Sequence, residues 1–131
     1  MNNFEIAKLL KKEIGKEFKK VIMSDEVMKY VNPNITSSYV INYDDSAGDG
    51  THWVALKCVN DHMYYMDSYG IPPLEEVILV SKKFNKKLVY NEEIIQPLDS
   101  SICGELSCVF LILMKQLNNN FQNVINTMMQ R

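Results

Sequence analysis

One stretch constrains this chain more than any other: Gln96 to Leu117, reading Gln-Pro-Leu-Asp-Ser-Ser-Ile-Cys-Gly-Glu-Leu-Ser-Cys-Val-Phe-Leu-Ile-Leu-Met-Lys-Gln-Leu. Pro97, Asp99, Ser100 and Ser101 form a polar, turn-prone lead-in. Beyond them Leu106, Val109, Phe110, Leu113, Met114 and Leu117 recur at three- and four-residue spacing, the period of a helix. Ser100 or Ser101 is the expected cap, because a hydroxyl accepts from the unpaired N–H groups of a first turn. Cys108, Leu111 and Ile112 fill the flanks, so the helix is expected to be apolar almost all round, central and buried. Cys103 then lies in the first turn, where the positive helix end favours a thiolate over a thiol. A cysteine held that way can act as a nucleophile.

The rest of the 131-residue chain is sized to surround one such helix. With 47% hydrophobic and 23% charged residues, it fits a single domain over residues 1–131 with one core. The longest apolar run, Cys108 to Met114, makes about two helical turns, too short to span a membrane. The N-terminus mixes Lys and Glu with apolar residues and does not read as a signal peptide. Cys58, Cys103 and Cys108 are an odd number at no metal-ligand spacing, which favours reduced thiols in an intracellular protein over a disulfide framework. No metal cluster and no Gly-rich phosphate loop is present in the sequence, and no cofactor is expected. The formal net charge of −2 does not mark a nucleic-acid binder overall. Locally the balance differs, since Lys8, Lys11, Lys12, Lys16, Lys19 and Lys20 crowd the start of the chain.

Asn3 to Val21 reads as an amphipathic helix with Phe4, Ala7, Leu10, Ile14, Phe18 and Val21 as its apolar stripe. Its lysines serve as a solvated face; the sharper alternative is a docking surface for a polyanion such as nucleic acid. Ser24 to Val31 predicts a short helix capped by Ser24 or Asp25 and closed by Pro33. Tyr39 to Tyr43 predicts a strand, and Asp44 to Gly50 a flexible loop. Pro72-Pro73 open a helix through Leu74, Val77, Ile78 and Val80; Lys82 to Lys87 follows as a charged loop, and Leu88 to Ile95 as a strand. Asn118 to Asn120 break the chain and recap it for a last helix on Phe121, Val124, Ile125, Met128 and Met129.

Thr51 to Val59 and His62 to Tyr69 are β-prone runs separated only by Asn60-Asp61, which predicts a tight hairpin. If those two residues make the turn, Val59 pairs with His62, Val54 with Asp67 and His52 with Tyr69. His52, Val54, Leu56, Tyr65, Asp67 and Tyr69 then share one face, with His52 and Asp67 as diagonal neighbours roughly 7–8 Å apart at the backbone. A slip of one residue would send Asp67 to the other face. His62, at the turn, reads as a solvated histidine outside this group.

A histidine and a carboxylate on one hairpin face, and a glutamine seven residues before a cysteine at a helix start, form a chemical set. Cys103 can attack an acyl carbon as thiolate, and His52 can hold that thiolate as imidazolium and then protonate the leaving group. Asp67 can orient the imidazole. Gln96, with the backbone N–H of Cys103, can donate to the oxyanion of a tetrahedral intermediate. Gly104 leaves room beside the nucleophile, and Trp53 is a core or cleft-wall aromatic. Each residue alone has a plainer reading, as core thiol, strand-end cap or loop amide; Cys58 and Cys108 are read as packing residues.

Gly50-Thr51-His52-Trp53, Asp67-Ser68-Tyr69-Gly70, and Gln96 followed by Cys103-Gly104 resemble the adenovirus maturation protease (adenain) family and its relatives, the ubiquitin-like-modifier (SUMO) proteases. The family order is His, then Asp or Glu, then Gln, then Cys in a Cys-Gly pair, and this chain matches each station from about Gly50 to Leu113. The resemblance implies an α+β fold, a mixed, largely antiparallel sheet packed against a central helix bearing the nucleophile. It assigns His52, Asp67 and Cys103 the catalytic roles and Gln96 the oxyanion role. Two departures stand out: Asp67 replaces the glutamate of the adenovirus enzyme, as in the modifier proteases, and the chain is shorter than either relative. No cysteine is clearly placed to take an activating peptide by disulfide. The Asn- and Lys-rich composition suits a DNA virus or virophage with an AT-rich genome.

The expectation is therefore a thiol endopeptidase of viral maturation, cutting capsid or other virion precursors near small residues such as Gly. It is expected to act as a monomer without a membrane partner, in the host cell and in the virion, with a DNA or peptide activator as a further partner. A deconjugating protease for a ubiquitin-like modifier, an acyltransferase of the same His-acid-Cys order, and a non-catalytic binding module remain open on the same residues.

Overall fold

The computed structural model describes residues 1–44, 52–96 and 101–130. Asn3–Ile14 forms α1, held at its start by a reciprocal cap in which Asn2 Oδ1 accepts from Glu5 N–H and Glu5 Oε1 from Asn2 N–H. The helix was expected to run to Val21 but stops at Gly15, whose φ of +67° leaves the helical region. A single 3-10 turn follows, and Phe18–Met23 becomes strand β1. Lys19 and Lys20 are therefore strand residues. The buried stripe of α1 is Ile6, Leu10 and Ile14, whereas Phe4, expected in the stripe, is 74% exposed. Four-residue steps from Ile6 define the face that meets the sheet, and Phe4 lies off it.

A 3-10 turn and the short helix α2 (Val27–Tyr30) occupy the predicted helical segment. The cap is neither Ser24 nor Asp25: Glu26 Oε1 accepts from Met23 N–H. Strands β2 (Ser37–Asn42), β3 (Trp53–Val59), β4 (His62–Met66) and β5 (Lys87–Tyr90) complete a sheet in the order β1-β2-β3-β4-β5. Pairing is antiparallel at its centre, β2 with β3 and β3 with β4, and parallel at both edges. The sheet is thus mixed, as expected, with its antiparallel part confined to the middle. The predicted loop 44–50 and Gly50-Thr51 fall, from residue 45 onward, outside the described residues, as do Pro97, Asp99 and Ser100.

The hairpin has the predicted register. Val59 pairs with His62, Leu56 with Tyr65 and Ala55 with Met66, and Asn60 takes φ +52° at the two-residue turn. The ladder ends there, so Asp67 to Tyr69 leave the strand. His52 precedes β3 but still accepts from Tyr43 N–H at 2.7 Å, which carries the β2–β3 pairing one step further.

Alternation along β2 and β3 divides the interior. Val40, Ala55 and Met66 face α1, α4 (Cys103–Gln116) and α5 (Phe121–Met129), meeting Ile6, Leu10, Phe110, Leu111, Met114, Val124 and Ile125. Tyr39, Ile41, Val54, Leu56 and Tyr65 face α2 and α3 (Glu75–Lys83), meeting Val27, Val77 and Val80. The two layers leave α4 short of full enclosure. Val109, expected in its buried stripe, is 41% exposed, while Leu111, expected on its flank, is fully buried. The buried residues are Cys103, Gly104, Ser107, Cys108, Phe110, Leu111 and Met114. The enclosed side is offset from the apolar pattern because small residues sit where the first turns approach the sheet.

A buried cation lies on the Ala55 face of β3, toward α1 and α4: Lys57, 2% exposed, pairs with Glu17, which also accepts from Ser38 Oγ at 3.1 Å. Near the C-terminus Asn118 and Asn119 take positive φ, and Asn120 Oδ1 accepts from Asn123 N–H, so the asparagine run breaks and recaps the chain as predicted. The strand expected over 88–95 ends at Tyr90; its second half is the loop that leads to Gln96.

Candidate active site

Three edges of the fold converge: the residue before β3, the turn after β4 and the first turn of α4. His52 and Asp67 lie on neighbouring strand extensions, and His52 Nε2 meets Asp67 Oδ1 at 3.0 Å. The hairpin register puts them there, since Ala55 opposite Met66 makes the two positions diagonal neighbours. Asp67 is fully buried and His52 only 8% exposed. Oδ1 also accepts from Tyr69 N–H at 2.8 Å, which closes the turn after β4 around the carboxylate.

Contact with Asp67 fixes the role of each ring nitrogen. Nε2–H donates to Oδ1, while Nδ1 is buried without a hydrogen-bond partner among the described residues. Cys103 is the other ionisable group that acts on the ring together with Asp67. Burial opposes the imidazolium, but the Asp67 hydrogen bond and the interaction with Cys103 outweigh it and raise the His52 pKa to about 9. Two tyrosines enclose the ring: Tyr69 stacks on it at 4.8 Å and Tyr43 meets it edge-on at 5.2 Å. Aromatic faces beside an imidazolium stabilise its charge.

Cys103 starts α4 and is 4% exposed. Burial raises its pKa, yet His52 together with the backbone N–H groups of Trp53 and Gly104 brings the thiol below its ordinary value. The other thiols behave in the opposite way. Burial pushes Cys58 up to about 12 and Cys108 up to about 11, and all three cysteines are free. Where Ser100 or Ser101 was expected as the cap, Ile102 holds the N-cap position without a capping side chain; Ser100 lies outside the described residues.

Gln96 joins the group through Ser68, the residue after Asp67. Ser68 O accepts from Ile95 N–H at 2.8 Å and from Gln96 N–H at 3.1 Å, and Ser68 Oγ donates to Gln96 Oε1. The carboxamide is thus oriented with Oε1 toward Ser68 and the donor Nε2 turned away from it. Trp53 Nε1 donates to Asn3 Oδ1 at 3.1 Å, so α1 holds the indole. A Cβ at Gly104 would stand 3.5 Å from both Ile6 Cδ1 and Trp53 Cε3, at ordinary van der Waals distance, so Gly104 packs the first turn of α4 beside α1 and the indole.

Several residues of this arrangement carried no assigned role in the sequence. Ser68 and Tyr69 stand in the Asp-Ser-Tyr-Gly run without a chemistry of their own, Tyr43 reads as a strand residue, and Asn91 lies in a segment read as strand. Only their spatial partners distinguish them. Among the described residues no group of His, Cys, Asp and Glu is arranged to hold a metal, and no helix is long and apolar enough to cross a membrane.

Two crystal structures of a protease from African swine fever virus (ASFV), one of them the selenomethionine form, are similar to this chain. The TM-scores are 0.63 and 0.66 at 20% identity, over 95% and 97% of this chain. The chain spans 60% and 62% of the length of the viral protease in the two structures. At that identity the likeness is one of fold alone: the chain shares the α+β fold of that viral protease. No protein-family model matches the sequence, and no curated protein matches it either.

Proposed function

We propose that this protein is a thiol endopeptidase, with Cys103 as nucleophile, His52 as acid–base and Asp67 as the residue that orients His52. The supporting observation is the opposed shift of two neighbouring groups: a thiol lowered and an imidazole raised to about 9, on a histidine bound to a fully buried carboxylate. Between those two pKa values the pair exists as thiolate and imidazolium. The thiolate attacks the scissile carbonyl carbon and the oxyanion collects N–H donors from the α4 start and Gln96 Nε2. The C–N bond then breaks as His52 gives its proton to the departing amine, leaving a thioester. Water, deprotonated by His52, attacks the thioester, and the carboxylic acid leaves as the thiolate is restored.

The fold shared with a viral protease supports virion precursors, cut near small residues, as the substrate class. The site of action would then be the infected cell and the assembling particle. The six exposed lysines of the first twenty residues support a polyanion as activating partner.

The test is the alkylation rate of each cysteine against pH, read by peptide mass, alongside cleavage of a peptide library. Cys103 alone is expected to react below the pH range of an ordinary thiol, and His52→Ala to slow it about tenfold for each unit by which the thiol pKa rises. Alkylation should persist above pH 9, because the thiolate needs no proton there. Cleavage should fall, because His52 no longer has a proton for the leaving amine. A Cys103 that titrates with Cys58 and Cys108 refutes the assignment.

A further inference from the structure

We infer that Asn91 is a positioning residue for the acid–base pair, fixing Asp67 by its backbone and coupling it to the segment that carries Gln96. β5 pairs with β4 only as far as Tyr65 opposite Tyr90. Beyond that pair the β4–β5 ladder has ended, and at Asp67, the first residue after β4, the Asn91 side chain takes its place. Its Oδ1 accepts from Asp67 N–H at 3.0 Å, and its Nδ2 donates to Asp67 O at 2.7 Å. A carboxamide has one acceptor and one donor side by side, so it reproduces the pair of bonds that a neighbouring strand would make.

The same Nδ2 also donates to Glu93 O at 2.9 Å. Asn91, 2% exposed, therefore clamps the acid-bearing turn and the start of the 92–96 loop together. Ser68 extends that connection with its two backbone bonds to Ile95 and Gln96. Asp67 and Gln96 are thus placed by one buried hydrogen-bond system whose hub is a side chain that touches neither imidazole nor thiol. A shift of the Asp67 backbone would move Oδ1 from His52 Nε2 and weaken the imidazolium, since a hydrogen bond at 3.0 Å has little slack.

This inference rests on the proposed thiol–imidazole chemistry, but its first readout does not. The proton on His52 Nε2, bonded to Asp67, should give a low-field imidazole N–H resonance in nitrogen-15-labelled protein. Asn91→Ala and Asn91→Asp are compared with Ser81→Ala, which removes a buried hydroxyl bond to Ile78 O on the opposite layer. Asn91→Asp retains the acceptor for Asp67 N–H and sets an oxygen against two carbonyls, so it remains informative should Asn91→Ala not fold.

Both Asn91 variants are expected to broaden or lose the low-field signal, raise the apparent pKa of Cys103 alkylation and lower kcat about 10- to 100-fold with KM nearly unchanged. Ser81→Ala should lower Tm and leave all three readouts alone. If the Asn91 variants lower Tm but retain the signal, the alkylation profile and kcat, Asn91 is merely structural and the inference is overturned. If the signal is lost in the Asn91 variants while wild-type Cys103 has an ordinary profile, the positioning of His52 stands and the protease reading falls.

Discussion

At the scale of single residues, three cysteines of one chain have three environments, and chemistry follows environment. Cys58 and Cys108 are buried among apolar neighbours that hold their thiols protonated, whereas Cys103 lies where a helix start, two backbone donors and an imidazole converge. Gln96 is a comparable case, a loop amide until Ser68 fixes which end accepts. Gln96→Ala should lower kcat on the order of 10²–10³-fold and leave the pH profile of Cys103 alkylation unchanged, since it stabilises the intermediate and not the resting thiolate. Steady-state kinetics beside alkylation separates the two, and a shifted alkylation profile would show that Gln96 acts on the thiol. His52, Asp67, Gln96 and Cys103 are all legible as candidates in the sequence because each stands at a telling interval. Asn91 is not, because its function is a pair of bonds to a residue 24 positions away.

At the scale of elements, the hairpin and the turn after it position the acid. Two features hold that turn: the Asn91 clamp and Gly70. Gly70 takes φ +71°, and a Cβ there would stand 2.6 Å from Glu92 O, so the turn and the 92–96 loop meet backbone to backbone. Gly70→Ala should cost more than about 1 kcal/mol through positive φ and the clash together, read as a lower urea midpoint at unchanged m. Gly15→Ala, also at positive φ but with open space around the Cβ position, should cost less. Equal losses at the two glycines would mean that the loop contact contributes nothing. Element ends are also where sequence and structure differ most. Helix period in 3–21 continues through Phe18 and Val21, but pairing with β2 draws those residues into a strand. Tertiary pairing overrides a local periodicity that either geometry can satisfy.

At the scale of the molecule, a mixed sheet between two helical layers brings the start of β3, the end of β4 and the start of α4 together and leaves the lysines of α1, its following turn and β1 exposed. The charge-reversed variant at Lys8, Lys12 and Lys16 should lose any activation by duplex DNA, and activation of the wild type should decline steeply between 50 and 200 mM salt. Activity indifferent to DNA at low salt would return these lysines to a solvated face. What the sequence by itself determined is whatever is encoded within one element or one tight turn. It set the hairpin register through Asn60-Asp61, with His52 and Asp67 as diagonal neighbours. It set Cys103 at a helix start, and the asparagine break before α5. Those features depend on spacing along the chain, and spacing is conserved on folding. Tertiary structure alone decided where α1 gives way to β1, which side of α4 is enclosed and how Asn91 holds the acid. Each of these is a contact between segments distant in sequence, selected by packing and hydrogen-bond satisfaction over the whole molecule.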